Sequence, residues 1–296
     1  MPAGYLGIDV GGTKVALRVE TDGDDHREHS FRWANQTAEE DLSALARNVR
    51  LLQRDWGGSF ASVGVALPAT VDTGGRVAAW PSRPSWTGLD IAGALRDVFP
   101  GIAVSCADDG DLAALAEAED AGAANIVYVG VGTGIGGGIV LDGRPCPGLD
   151  RGSCEIGHVV IDRAGPLCVC GRRGCVQAMA SGPAMLRRAG EIAGREVTFD
   201  ELRAAWSARE AWALDAIGDG AAAIATAVVG VAELVHPELA VIGGGFADGI
   251  AGFVDAVADH VGRLARQGHP ATPVRRARLG GLSSLRGAVL LARRAP

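Results

Sequence analysis

The chain is almost without lysine. Lys14 is the only one, and every other side-chain cation among its 28 lysines and arginines is an arginine. Together with 44 glycines and abundant alanine, this bias reads as a trace of GC-rich coding rather than as a functional device. Positive charge is also in deficit. A net charge of −7 argues against a nucleic-acid partner held by its phosphate backbone. The N-terminal MPAGYLGIDV has no basic segment leading into an apolar run, so no secretory signal is expected. The longest apolar stretch, about 221–235, contains Thr226 and Glu233 and falls short of a bilayer span. A soluble, cytoplasmic protein with no membrane partner is therefore expected. Low-complexity linkers are absent too. With 48% hydrophobic residues, the 296 residues suffice for two lobes on one α/β framework. Cysteine is scarce, yet three of the six fall within CVCGRRGC, 168–175. In a reducing compartment such a cluster points to a metal or to catalysis before a disulfide.

Apolar periodicity alternates strands with helices. YLGIDV (5–10) and VALRVE (15–20) form a predicted hairpin around Gly11-Gly12-Thr13-Lys14. Thr37 and Glu40 make a capping box for a helix whose face carries Leu42, Leu45, Ala46, Val49 and Leu52. Strands at 62–67 and 103–108, and helices at 88–98 and 110–121, complete a first half. The second half repeats the opening unit: strand 125–132, glycine turn 132–138, strand 138–143. Helices at 181–194 and about 209–235, a strand at 239–245, and helices at 247–266 and 283–293 follow. This is an α/β protein with a mixed sheet in each half.

Three glycine-rich turns, DVGGTK, GVGTGIGGG and IGGGF, would let backbone N–H groups approach a phosphate, since no Cβ intervenes. None fits the P-loop pattern or the dinucleotide spacing. The first two lie in hairpins, the way actin and sugar kinases hold ATP. With EIGHVVIDRAGPLCVCGRRGC between the last two turns, the ordered motifs resemble the ROK family (repressors, open reading frames and sugar kinases) over essentially the whole chain. The resemblance implies an actin-like ATPase (ribonuclease H-like) fold. It has two lobes, each with a mixed sheet, and ATP and sugar bound in the cleft between them. The lobes are placed at 1–110 and 111–282, with the last helix, about 283–296, returning to the first. ROK repressors carry a DNA-binding region ahead of the first glycine motif, and here that motif begins at residue 5. A homodimer is left open.

His158, Cys168, Cys170 and Cys175 offer one imidazole and three thiolates, a set suited to a closed, structural Zn²⁺ site, and the family implies the same four ligands. The alternative is three unliganded thiols in a loop. The family further implies that His158 faces the sugar near its anomeric hydroxyl and that Glu155 holds sugar hydroxyls. Asp108, Asp109 and Asp111 open a helix, where acids serve as caps and favour the dipole. By resemblance Asp109 is the catalytic base that deprotonates the sugar 6-hydroxyl. Phosphate contacts are expected from Gly11, Gly12 and Thr13 and from Gly132, Thr133 and Gly134. Asp9 holds Mg²⁺ through water or bonds its own turn. Lys14 faces phosphate or solvent. The turn at Gly244 flanks adenosine or serves close packing.

Two departures from the family pattern stand out. Asp108 replaces an asparagine that contacts the C3 and C4 hydroxyls, and Gln177 replaces a glutamate at the C1/C2 end. One negative charge has in effect moved across the sugar. A protonated amine at C3 or C4 would justify the move, because a charge-assisted bond is worth roughly 1.5–3 kcal/mol. The expected activity is an ATP-dependent 6-kinase of an amino sugar, with 3-amino-3-deoxyglucose (kanosamine) as the leading candidate and antibiotic biosynthesis as its setting. Glucose or an N-acetylhexosamine is the alternative substrate, and a non-catalytic sugar sensor is the rival outside enzymes.

Overall fold

The computed structural model describes residues 3–23, 25–34, 37–148 and 152–295. It divides into two compact units: Met1–Ala116 with Gly148–Ser153 and Leu282–Pro296, and Glu117–Pro147 with Cys154–Gly281.

The first unit contains β1 (Gly4–Val10), β2 (Lys14–Glu20), β3 (His26–Arg32), α1 (Ala38–Trp56), β4 (Phe60–Ala66), β5 (Thr70–Val71), β6 (Val77–Ala79), α2 (Ile91–Val98), β7 (Ala103–Ala107) and the start of α3 (Asp109–Ala121). The second unit contains β8 (Ile126–Val131), β9 (Ile135–Leu141), β10 (Arg144–Cys146), α4 (Val176–Ala180), α5 (Gly182–Ala193), α6 (Phe199–Ser207), α7 (Ala211–Val235), β11 (Leu239–Gly243), α8 (Gly245–Gly249), α9 (Phe253–Leu264) and β12 (Val274–Arg276). The last helix, α10 (Ser283–Arg293), rejoins the first unit, and Pro296 lies outside the described residues.

Each unit is built on a mixed five-stranded sheet, ordered β3-β2-β1-β4-β7 and β10-β9-β8-β11-β12. The two orders are the same topology used twice. In each, an antiparallel meander leaves a central strand, β1 or β8, that also pairs in parallel with the next strand of the sheet. The capping box on α1 is present as expected: Thr37 Oγ1 accepts from the Glu40 N–H while Glu40 accepts from Thr37. Leu45, Val49, Leu52 and Trp56 then seat the helix in the first core.

In that unit α10 lies on β1 and β4 because Gly7 and Gly64 offer no side chain there. A Cβ on Gly7 would stand 2.5 Å from Val289 Cγ2, and one on Gly64 would overlap the Ala288 carbonyl. Ser62 Oγ donates to the Ala292 carbonyl at 2.6 Å, and Arg293 reaches the buried Glu20 at 2.8 Å.

Several expected boundaries change. Glycines 136–138 belong to β9 rather than to a turn, because Gly137 packs against the β8 backbone at Tyr128. The helix expected over 247–266 is broken into α8 and α9 at Gly252, whose φ of 80° only glycine adopts readily. The apolar run expected to be too short for a membrane lies within a helix of 25 residues, α7, long and apolar enough to cross one. In the fold, 56% of its most apolar window is buried, and Ala213, Ile217, Ile224 and Val228 lie within the second core.

Candidate active site

In the first unit, β1 ends at Asp9 and Val10, and the chain reverses through Gly11–Thr13 into β2. The Gly11 N–H is used inside the turn, donating to the Lys14 carbonyl at 3.0 Å. Among the described residues no acceptor faces the N–H groups of Gly12 and Thr13, and these are the turn's available donors. Gly12 admits no side chain, since its Cβ would stand 2.6 Å from Ser82 Cβ. Thr13 and Lys14 are exposed.

Asp108 and Asp109 lie where β7 runs into α3. Asp108 caps the helix: its Oδ1 accepts from the Gly110 N–H at 2.9 Å, and its carbonyl accepts from Leu112. The capping expected of this aspartate is therefore real. Capping alone does not call for a charge, because asparagine caps as well as aspartate; the charge adds its interaction with the helix dipole. Asp109 is the first residue of α3 and half-buried. Burial raises its pKa against the lowering effect of the Gly110 N–H and its own.

Asp9 is pushed up to about 7, first by burial and then by the negative charge of Asp109, with Lys14 opposing. A divalent cation beside Asp9 would offset that repulsion. Without nucleotide or magnesium, Asp9→Asn should melt a few degrees above wild type at pH 8. The native carboxylate has the higher pKa, so the folded wild type binds more protons between about pH 4 and pH 7 and loses stability as pH rises through that window. The advantage of Asp9→Asn should shrink as pH is lowered towards 4. Equal melting temperatures at pH 8 would show that Asp9 is not strained by burial.

In the second unit the turn between β8 and β9 is built alike. The Gly132 N–H donates to the Gly134 carbonyl at 3.0 Å, and Thr133 is exposed. Gln177, on α4, accepts the Ile135 N–H through Oε1 at 3.0 Å and abuts Gly134. The side chain expected at the sugar thus also fastens the second glycine turn. Gly244, with φ of 93°, passes so close to Val131 that a Cβ would lie 2.5 Å from its nitrogen, so close packing by itself accounts for this glycine.

Glu155 is exposed, just ahead of a short 3₁₀ turn, Ile156–His158. His158, Cys168, Cys170 and Cys175 converge, with one ligand atom from each within 4.8 Å of the others. Cys168 Sγ is 3.7 Å from His158 Nδ1, and Cys170 Sγ is 3.6 Å from Cys175 Sγ. Tetrahedral zinc, with bonds of about 2.0–2.3 Å, calls for ligand atoms somewhat under 4 Å apart. The donor set therefore fits Zn²⁺, bound through Nδ1, with Nε2 left for another partner. Gly174 makes the loop possible: its φ is 68°, and any side chain would run into the Asp162 carbonyl. The Arg172 N–H lowers the Cys170 thiol, which favours the thiolate a metal needs.

Two duplicated sheets, each opening on a glycine hairpin, with a carboxylate pair at the head of a helix, define a phosphotransferase of the actin-like ATPase fold. The chain belongs to the ROK family, which it matches over residues 5–295. It is 56% identical over 289 residues to a kanosamine kinase of Amycolatopsis mediterranei, covering 97% of this chain and 95% of that protein. The ROK hexokinase from Thermus thermophilus superposes with a TM-score of 0.89 at 32% identity, covering 98% of both chains. A ROK glucokinase from Streptomyces griseus, solved with glucose and AMPPNP, gives 0.80 at 25% identity, covering 99% of this chain and 100% of that one.

Proposed function

We propose that this protein is an ATP-dependent hexose 6-kinase whose substrate is an amino sugar, 3-amino-3-deoxyglucose (kanosamine). The observation that carries the reading is the carboxylate of Asp108 beside Asp109 at the head of α3, where capping alone would be served by a neutral side chain. The identity with the Amycolatopsis kinase supports it.

Asp109 accepts the proton of the 6-hydroxyl as that oxygen attacks the γ-phosphorus. The O6–P bond forms, the bond from phosphorus to the β–γ bridging oxygen breaks, and ADP leaves. A base in such a reaction needs position more than strength. The N–H groups of Gly12 and Thr13, and those of Thr133 and Gly134, receive phosphate oxygens; Gly11 and Gly132 shape the turns. Asp9 would hold Mg²⁺, which would neutralise phosphate charge. Lys14 adds positive charge at the same turn, and the turn at Gly244 flanks adenosine. His158 and Glu155 hold sugar hydroxyls, and Gln177 offers its amide nitrogen at the C1/C2 end. His158, Cys168, Cys170 and Cys175 would hold zinc, which would cross-link the loop and orient His158. The protein acts in the cytoplasm, in an antibiotic-producing pathway, without nucleic acid.

The test is ATP consumption over a panel of hexoses for wild type and Asp108→Asn. Wild type should prefer kanosamine to glucose in kcat/KM, and Asp108→Asn should lower that preference about tenfold to a hundredfold. An unchanged ratio would remove the charge argument. The Streptomyces structure favours glucose as the second reading, which a panel led by glucose would bear out. No ATP consumption with any hexose would indicate a sugar sensor.

A further inference from the structure

Beneath the first glycine turn lies a cluster of side chains that the motifs do not include. Trp33 Nε1 donates to the Gly11 carbonyl at 2.7 Å, and its backbone N–H donates to the Thr13 carbonyl at 3.1 Å. Arg83 Nε reaches the Gly12 carbonyl at 3.3 Å. Three successive carbonyls are thus held by Trp33 and Arg83.

A trans peptide is planar, with its C=O and the following N–H pointing in opposite directions. Holding the Gly11 and Gly12 carbonyls therefore turns the N–H groups of Gly12 and Thr13 the other way. These are the two donors that the turn does not use itself.

The holders are themselves fixed. The Arg83 guanidinium lies over the Trp33 ring at 4.8 Å from its centroid and pairs with Asp41 at 2.7 Å. Asp41 is fully buried, and the same oxygen accepts from Trp86 Nε1 at 2.9 Å. Trp86 meets Trp33 and Trp80 edge-on. A glycine turn without such support would sample many conformations, since glycine restricts φ so little.

We infer that Trp33 and Arg83, anchored by Asp41 and Trp86, are positioning residues that preset the Gly12 and Thr13 amides for a phosphate chain. The inference rests on the kinase reading for the identity of the ligand. Neither side chain takes part in the transfer. They keep two donors aligned before the nucleotide arrives, so its binding need not order the loop.

Trp33→Phe removes the Nε1–H and keeps an aromatic ring. Arg83→Lys keeps a cation for Asp41 and loses the planar stack and Nε. Calorimetric titration with the β,γ-imido analogue of ATP and Mg²⁺ should show about fivefold to tenfold weaker binding in either variant. Adenosine and sugar affinities should stay within twofold of wild type, and in turnover the KM for ATP should rise while that for sugar holds. If Arg83→Lys does not fold, Trp33→Phe decides. The assignment is overturned if the imido analogue binds the variants as well as it binds wild type. It is equally overturned if adenosine and sugar affinities fall in parallel, the mark of general loosening. A wild type that binds no nucleotide overturns the kinase reading, and this assignment with it; binding by wild type keeps the two failures apart.

Discussion

Asp109→Asn is expected to lower kcat by about 10²- to 10⁴-fold, the span associated with loss of a positioned general base. The KM values for sugar and ATP should change much less. Asparagine has nearly the same shape and can still start α3, so the fold should survive. On the proposed reading, what is lost is the acceptor for the 6-hydroxyl proton. Wild-type activity should also fall on acidification, with a midpoint above that of an ordinary aspartate, near 3.9. Burial raises the pKa of Asp109, and the protonated acid cannot accept the hydroxyl proton. Steady-state rates of sugar phosphate formation from pH 5 to 9 provide the measurement. Phosphorylation by Asp109→Asn at an undiminished rate would rule out this carboxylate as the base.

Cys175→Ser should have the other large effect. Cys175 is fully buried in the second unit and shares the cluster with His158, Cys168 and Cys170. Elemental analysis of wild type should find about one zinc per chain, and the variant should retain little. A metal that binds only the folded loop contributes folding free energy, which its loss would remove. A fall in melting temperature of about 10 °C is expected, which corresponds to a few kcal/mol for a protein of this size. On the proposed reading, activity should drop at least tenfold, since an unanchored His158 would no longer meet the sugar in one orientation. A zinc-free wild type that melts together with Cys175→Ser would show the cluster to be three ordinary thiols and a histidine.

Features carried by neighbouring residues are legible in the sequence. The Gly11–Lys14 hairpin, the Thr37–Glu40 box and the 168–175 cysteines each express themselves within a few positions. A second capping box, Thr198 with Glu201, announces α6 by the same signature. The strand β3, His26–Arg32, has a polar and largely exposed sequence, so its pairing with β2 supplies the order that composition does not. Trp33, Arg83 and Asp41 were out of reach for a different reason. Arg83 lies 42 residues from Asp41 and 71 from Gly12, and no spacing rule links such distant partners. Nor did local signals reveal that Gln177 would fasten the second turn, because its acceptor role depends on where α4 docks against Ile135.

The placement of α10 bears on how the protein is made. Ser62 and Ala292, joined by a hydrogen bond, are 230 residues apart, and the whole second unit is synthesised between them. During translation the sheet of the first unit therefore waits with Gly7 and Gly64 uncovered, while the second unit can already close around α7. Until α10 has been made, a nascent chain presents that bare β face, on which chaperones can act.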